Sequence, residues 1–289
     1  MKPTKTGLTM IELLIVLGII ALLVGLLVPA LTTVRNIAKE TKQKAQFSTI
    51  EMALVAFKND YGDYPFSESY SRDTLVNDYC GAQKLAEALV GRDLLGFHPD
   101  STWSATDPTY YPPSPPGPTD DNLRRRKGPY LELASTNVFR LGMSDPSIND
   151  GLFANTGDLA WDRNVLCDVF GVKEKKVTVI TPITLETHTF SAGTPILYYK
   201  ANTSSKRIEP PGPYIYDPAD NEALIMLGRR SDGMQHNLST HSRFIQEIMD
   251  PKASTDVRPW PYRPDSYILI SAGVDGLYGT DDDITNFGN

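Results

Sequence analysis

Histidine and cysteine are scarce in this chain: four and two in 289 residues. They form no C-x-x-C or H-E-x-x-H pattern, and neither a G-x-S-x-G nor a P-loop occurs. The zinc ligand sets, the metalloprotease helix, the nucleophile elbow and the phosphate-cradling loop are therefore not among the readings the sequence supports. His98, His188, His236 and His241 are scattered, and the last two lie five residues apart, a spacing that does not put both on one helix face. We read the chain as non-enzymatic. No internal repeat is visible, which argues against a solenoid. Basic residues are also short: Lys and Arg number 28 against 35 Asp and Glu, for a net charge of −7. Phosphate backbones require clustered Lys and Arg, so nucleic acid is not expected as the main partner. The one basic run, Arg124-Arg125-Arg126-Lys127, stands beside Asp120 and Asp121 and reads as a solvated loop.

Long apolar runs are missing too, with one exception. Residues 8–34 are apolar and are broken by a single charge, Glu12. Residues 13–31 hold no charge at all, enough to span a hydrocarbon core at ~1.5 Å per residue. A carboxylate inside such a run costs on the order of a few kcal/mol. Three readings compete. One is a plain single-pass anchor that tolerates Glu12 near the interface. Another is a secretory signal peptide with small residues at Val28-Pro29-Ala30. The third takes the lysine-bearing leader MKPTKTG as a processing signal.

That third reading rests on a resemblance. The leader ending in Gly7, the Glu five residues after it and the Pro29 further on are similar to the N-terminus of type IV pilins and type II secretion pseudopilins. The resemblance implies cleavage between Gly7 and Leu8 by a prepilin peptidase and methylation of Leu8. It implies that Glu12 pairs with the α-amino group of a neighbouring subunit during assembly. Pro29 removes a backbone donor, and in the family this loosens the packed stems. Counting Lys2 and Lys5 before the apolar run against Arg35, Lys39, Lys42 and Lys44 after it puts the C-terminal side in the cytoplasm. The leader pattern requires the opposite orientation, and we follow the leader.

Beyond the apolar run, residues 32–58 contain no Gly or Pro, and Val34, Ile37, Ala38, Ala45, Ile50, Ala53, Leu54 and Phe57 recur mostly at three- and four-residue steps. One helix over residues 9–59 is expected, stopped by Gly62 and Pro65. Residues 83–95 and 239–249 read as short helices, the latter capped by Ser239 or Thr240. Residues 177–190 read as a hairpin interrupted at Pro182, and residues 195–201 and 267–271 read as strands. Residues 108–118, rich in proline, read as extended loop. Residues 145–158 have the wrong residue, Asp150, at the glycine position of an EF-hand and read as loop. The expected fold is α+β: a long N-terminal transmembrane and stem helix on an antiparallel sheet with helical and loop insertions. The expected divisions are a leader at 1–7, a membrane and filament-core helix at 8–34, an amphipathic stem at 35–60 and a periplasmic globular body at 61–289.

Further matches narrow the resemblance to the major pseudopilin. They are ALVAFKNDYGDYP at 53–65, KGPYLE at 127–132, DVFG at 168–171 followed after about twenty residues by PILYY at 195–199, and the tail ISAGVDGLYGTDDDITNF. The tail is similar to the family's calcium loop, here at 271–286. Four aspartates beside three glycines repel one another unless a cation sits among them, and hard oxygen donors favour Ca²⁺. By match to the family loop, Asp275 and Asp283 are the first ligands, with Asp281, Ser271 and the Leu277 carbonyl as further candidates. Cys80 and Cys167 are a possible disulfide in an oxidising compartment, where closing an 87-residue separation contributes up to ~4.5 kcal/mol in chain-entropy terms.

The resemblance implies a structural subunit of a type II secretion pseudopilus. Its implied partners are the prepilin peptidase, other pseudopilin subunits, an inner-membrane assembly platform and the secreted protein cargo. The implied location is the inner membrane, with the N-terminus cytoplasmic and the body periplasmic. Two alternatives stay open: a type IV pilin for adhesion, motility or DNA uptake, and an anchored periplasmic binding or hydrolase domain. The chain is longer than the family's major subunit.

Overall fold

The computed structural model describes residues 9–72, 78–113, 116–133, 136–144, 151–171, 173–180, 185–228, 233–255 and 258–288. Gly7, Leu8 and the first half of the EF-hand-like segment lie outside them. The chain divides into two units, residues 1–41 and 42–289.

The first helix, α1 (Met10–Tyr61), runs through Pro29 without a break in its assignment. Its apolar N-terminal stretch is exposed, and α1 is the one helix among the described residues long and apolar enough to cross a membrane. At the other end Gly62, at φ +86°, donates its N–H to the Lys58 carbonyl at 2.7 Å and ends the helix. The expected apolar stripe divides in two. Val34, Ile37, Ala38 and Ala45 are exposed, whereas Ile50, Ala53, Leu54 and Phe57 are buried together with Phe47 and Gln43.

The second unit is layered about a small antiparallel sheet of β5 (Leu197–Lys200), β6 (Tyr267–Ser271) and β7 (Ile284–Thr285), with β6 in the centre. Side chains alternate across a strand, and here the alternation sorts two cores. Tyr198, Tyr267, Leu269 and Ile284 face Phe47, Ile50, Leu54 and Phe57 of α1 and Leu85 and Leu89 of α2 (Gly81–Val90). Leu197, Tyr199, Ile268 and Ile270 face Leu224 and Ile225 of α4 and Phe244 and Ile248 of α5. The helices on that second face are α4 (Ala219–Ile225) and α5 (His241–Ile248). A short α3 (Asp120–Arg125) and the pair β1 (Val138–Arg140) and β2 (Asn164–Leu166) complete the body. One long apolar helix with small antiparallel sheets is α+β.

The hairpin expected at 177–190 is present and longer: β3 (Lys173–Ile180) pairs with β4 (Leu185–Ala192), with Val179 opposite Glu186. It interrupts a continuous structure. At its root Asp168 donates its N–H to the Thr194 carbonyl at 2.9 Å, and Ile196 donates to the Leu166 carbonyl at 2.7 Å. The two sequence halves at 168–171 and 195–199 are therefore neighbours, with the hairpin inserted between them.

Three expectations need correction. The helix expected at 83–95 stops at Val90, because Gly91 at φ +84° turns the chain. It is buried all round rather than amphipathic, since each polar side chain has an internal partner. Lys84 Nζ donates to the Glu68 and Tyr70 carbonyls at 2.7 and 2.8 Å, and Glu87 accepts from Ser101 Oγ at 2.6 Å. The basic run is solvated at Arg124, Arg125 and Lys127, which are exposed, but Arg124 and Arg125 close α3 instead of lying in a loop, and Arg126 is buried. Arg125 pairs with Asp100, Arg126 is buried against Asp93, and Lys127 pairs with Asp60 at 2.9 Å. Cys80 and Cys167 are buried in the same core with no disulfide between them. Cys80 occupies the N-cap of α2, where burial pushes its thiol up to about 11. Cys167 lies where the backbone bridges to Pro195.

Candidate functional site

The head of α1 is built by local hydrogen bonds. Thr9 Oγ1 accepts from the Glu12 N–H at 3.3 Å, and Glu12 Oε2 accepts from the Thr9 N–H at 2.8 Å and from its hydroxyl at 2.7 Å. This reciprocal pairing is a capping box, which satisfies donors that a helix start otherwise leaves orphaned. Within one chain Glu12 therefore has a structural task, and it remains exposed. Pro29 lies inside the helix, twenty-two residues after Gly7.

The C-terminal loop is held by its own carboxylates. Asp282, which was not among the first candidates, is its centre. Asp282 Oδ2 accepts from the N–H groups of Val274 and Asp275 at 2.6 and 2.9 Å, and its Oδ1 accepts from Thr280 Oγ1 at 2.7 Å. Asp275 Oδ1 accepts from the Leu277 N–H at 2.7 Å, and Asp283 Oδ2 accepts from the Gly279 N–H at 2.7 Å. Gly273, at φ +61°, is required because a Cβ there would overlap the Asp282 carbonyl. Burial pushes the Asp283 carboxyl up to about 8, helped by the charges of Glu247 and Asp282. Burial and the Asp282 charge also raise Asp275.

The Ser271 hydroxyl donates to Asp168 Oδ2 at 3.0 Å and accepts from the Gly273 N–H at 3.4 Å, so both its bonds are taken within the protein. The Leu277 carbonyl accepts from Thr280 Oγ1 at 3.1 Å. Asp282 and Asp283 both take the Thr280 hydroxyl, at 2.7 and 3.4 Å, with Asp275 beside them, yet no group of three or more His, Cys, Asp or Glu side chains able to hold a metal occurs among the described residues. The donors have the chemistry of a hard-cation site, but the loop as placed is not a preformed one.

Asp168 is the residue that a linear reading undervalues. It is 1 % exposed, accepts from the Phe170 and Thr194 N–H groups at 3.1 and 3.0 Å through Oδ1, and takes Ser271 on Oδ2. Beside it, Gln43 Oε1 of α1 accepts from the Val169 N–H and Gln46 Nε2 donates to the Cys167 carbonyl, both at 2.9 Å. One carboxylate thus ties the hairpin root to the central strand, next to the stem. Its place in a DVFG segment was the only signal in the sequence.

At the stem's end Asp60 accepts from Lys127 Nζ at 2.9 Å and from the Tyr130 hydroxyl at 2.6 Å, so the KGPY segment docks on the helix terminus. Glu51 accepts from Arg263 at 2.5 Å and from Asn286 Nδ2 at 3.0 Å, which fastens the C-terminal tail to the stem. Three of the histidines stack on separate tyrosines: His98 on Tyr110, His236 on Tyr278 and His241 on Tyr214.

Comparison with protein-family models, with curated proteins and with solved structures finds no match to this chain.

Proposed function

We propose that the chain is a structural subunit of a type II secretion pseudopilus, anchored and then assembled through its N-terminal helix. One observation carries this reading: Gly7, Glu12 and Pro29 stand at fixed spacing at the head of an apolar, membrane-length helix. Two features support it. That helix continues into a stem which forms one wall of the α+β body. The KGPY segment and the C-terminal tail, two places where the sequence resembles the major pseudopilin, both fasten to the stem, at Asp60 and Glu51. In this reading the N-terminus is cytoplasmic and the body periplasmic. A prepilin peptidase cuts after Gly7, and an assembly platform adds subunits stem to stem to move secreted cargo. Glu12 then exchanges its capping partners for the α-amino group of a neighbouring Leu8, a charge pair that sets register more than stability. The pilin-like character of the fold belongs to the same proposal.

The test is the mass of the mature N-terminal peptide, from membranes with and without the host's prepilin peptidase. A peptide beginning at methylated Leu8, lost without the peptidase, is the expected result. A chain that keeps its leader, or one that begins at Leu31, removes the filament reading.

Calcium at the C-terminal loop is a separate part of the proposal, with Asp275, Asp282 and Asp283 as the side chains that would hold it. A bound cation would supply the counter-charge that these crowded carboxyls lack. Thermal melting with excess Ca²⁺ against a chelator decides it: a rise in Tm that D282N abolishes supports the site, and equal melting removes calcium.

A further inference from the structure

A cleft on the body carries a charge that runs against that of the whole molecule. It measures about 290 Å³ and lies between residues 206–210 and residues 258 and 259. Three cations line it, Lys206, Arg207 and Arg258, and among the described residues Glu209 is the one carboxylate on its walls. In a chain of net charge −7 such a concentration is informative, because clefts lined by one sign of charge focus the field and gather counter-ions. Eight other cations of the body, Arg72, Arg92, Arg125, Arg126, Lys127, Arg163, Lys200 and Arg263, sit in ion pairs. Lys206, Arg207 and Arg258 make no ion pair with a described carboxylate, and all three are exposed.

The walls beneath these cations are fixed. Ile208 is buried in the core between Arg207 and Glu209, and the Arg207 carbonyl accepts from the Ile215 N–H at 2.7 Å. On the opposite wall the Arg258 N–H donates to the Thr255 carbonyl at 3.0 Å, and its guanidinium lies over the Trp260 ring at 4.4 Å from the centroid. Trp260 packs on the core, and its N–H donates to Ser254 Oγ at 2.8 Å. A guanidinium stacked on a held ring keeps its forked donors directed outward and loses less freedom on binding. Two guanidiniums and an ammonium around a small cleft match a tetrahedral oxyanion, which accepts bidentate charge-assisted hydrogen bonds.

We propose that this cleft binds a phosphate group through Lys206, Arg207 and Arg258. The phosphate is either free inorganic phosphate or the headgroup of an anionic lipid, since the same chain carries a membrane-length helix. This inference does not depend on the filament reading, because the cleft shares no residue with the N-terminal signal or the acidic loop.

The experiment is isothermal titration of the full chain in a neutral detergent, with inorganic phosphate in one arm and glycerophosphoglycerol in the other. Wild type is compared with R207A/R258A, whose exposed side chains can be removed without opening the core; circular dichroism checks that the variant is folded. Saturable binding of either probe, weakened about tenfold or more in the variant and partly restored in R207A/R258K, supports the site. Binding of inorganic phosphate alone assigns a free oxyanion, and binding of glycerophosphoglycerol assigns a lipid headgroup. Absence of saturable binding by both probes, or equal affinity in wild type and variant, overturns the proposal.

Discussion

Asp168 and Asp220 are two buried carboxyls that the same body holds with different partners. Asp168 satisfies two backbone donors and one hydroxyl, so its removal leaves them unpaired in the core. Asp168→Ala is expected to cost about 3 kcal/mol, and Ser271→Ala about 1 kcal/mol, measured as shifts in the urea unfolding midpoint. Asp220 accepts from Ser67 at the start of α4, and burial, with the charges of Asp217 and Glu68, pushes it up to about 8. The Lys84 amine, set near it, is driven down to about 8, again chiefly by burial. The signs differ. Asp220 has a folded value above its ordinary one, so its contribution is complete below about pH 4 and is lost as pH rises to 8. Lys84 has a depressed value, so its contribution is present above about pH 10.5 and is lost as pH falls through 8. Between pH 5 and 8 only the first of these two effects acts. Stability should therefore fall over that range, and Asp220→Asn should flatten the slope of urea midpoint against pH. An unchanged slope would mean that Asp220 is ionised throughout.

At the scale of elements, α2 illustrates packing that overrides propensity. Alanine in place of a helix glycine ordinarily gains about 1 kcal/mol. At Gly81, however, a Cβ would overlap the Tyr198 carbonyl of β5 and press on Asn221 Nδ2 and the Ser67 carbonyl. Gly81→Ala is expected to lower Tm, with a cost of about 2 kcal/mol from overpacking, despite the better helix former. A raised Tm would show that α2 and β5 can separate at little cost. The β3–β4 hairpin is the contrary case. It is inserted at a root already closed by the Asp168–Thr194 and Leu166–Ile196 bonds, so the body does not rely on it for continuity. Replacing residues 173–191 by a short glycine-serine link is expected to leave the melting transition of the body cooperative. Calorimetry reads this directly.

For the whole molecule, burial on α1 begins at Gln43 and Phe47. A chain that starts at Thr41 keeps every stem residue that enters the core. It is expected to be soluble without detergent and to melt cooperatively. A chain that starts at Met52 loses Phe47 and Ile50, each worth about 2–5 kcal/mol when truncated in a core, and is expected not to fold. Circular dichroism of the two truncations distinguishes an autonomous body from one that needs its apolar N-terminal segment.

The long helix, its stop at Gly62, the hairpin and the central strand were legible in the sequence, because periodicity, glycine and β-branched alternation act over a few residues. The order of the motifs at 168–171 and 195–199 was legible too, although their meeting across an inserted hairpin was not. What only the tertiary structure decided were matters of distance. Asp282 rather than Asp281 became the centre of the acidic loop, because the turn at Gly273 brings the Val274 and Asp275 N–H groups to it. Ser271 bonds to Asp168, 103 residues away in the chain. Arg125, Arg126 and Lys127 found carboxylates 25 to 67 residues distant in the chain, and α2 buried its polar side because loops brought carbonyls to Lys84. Local chemistry is written in neighbouring residues. Whether a charge is solvated, paired or left facing an open cleft depends on which distant segments fold against it.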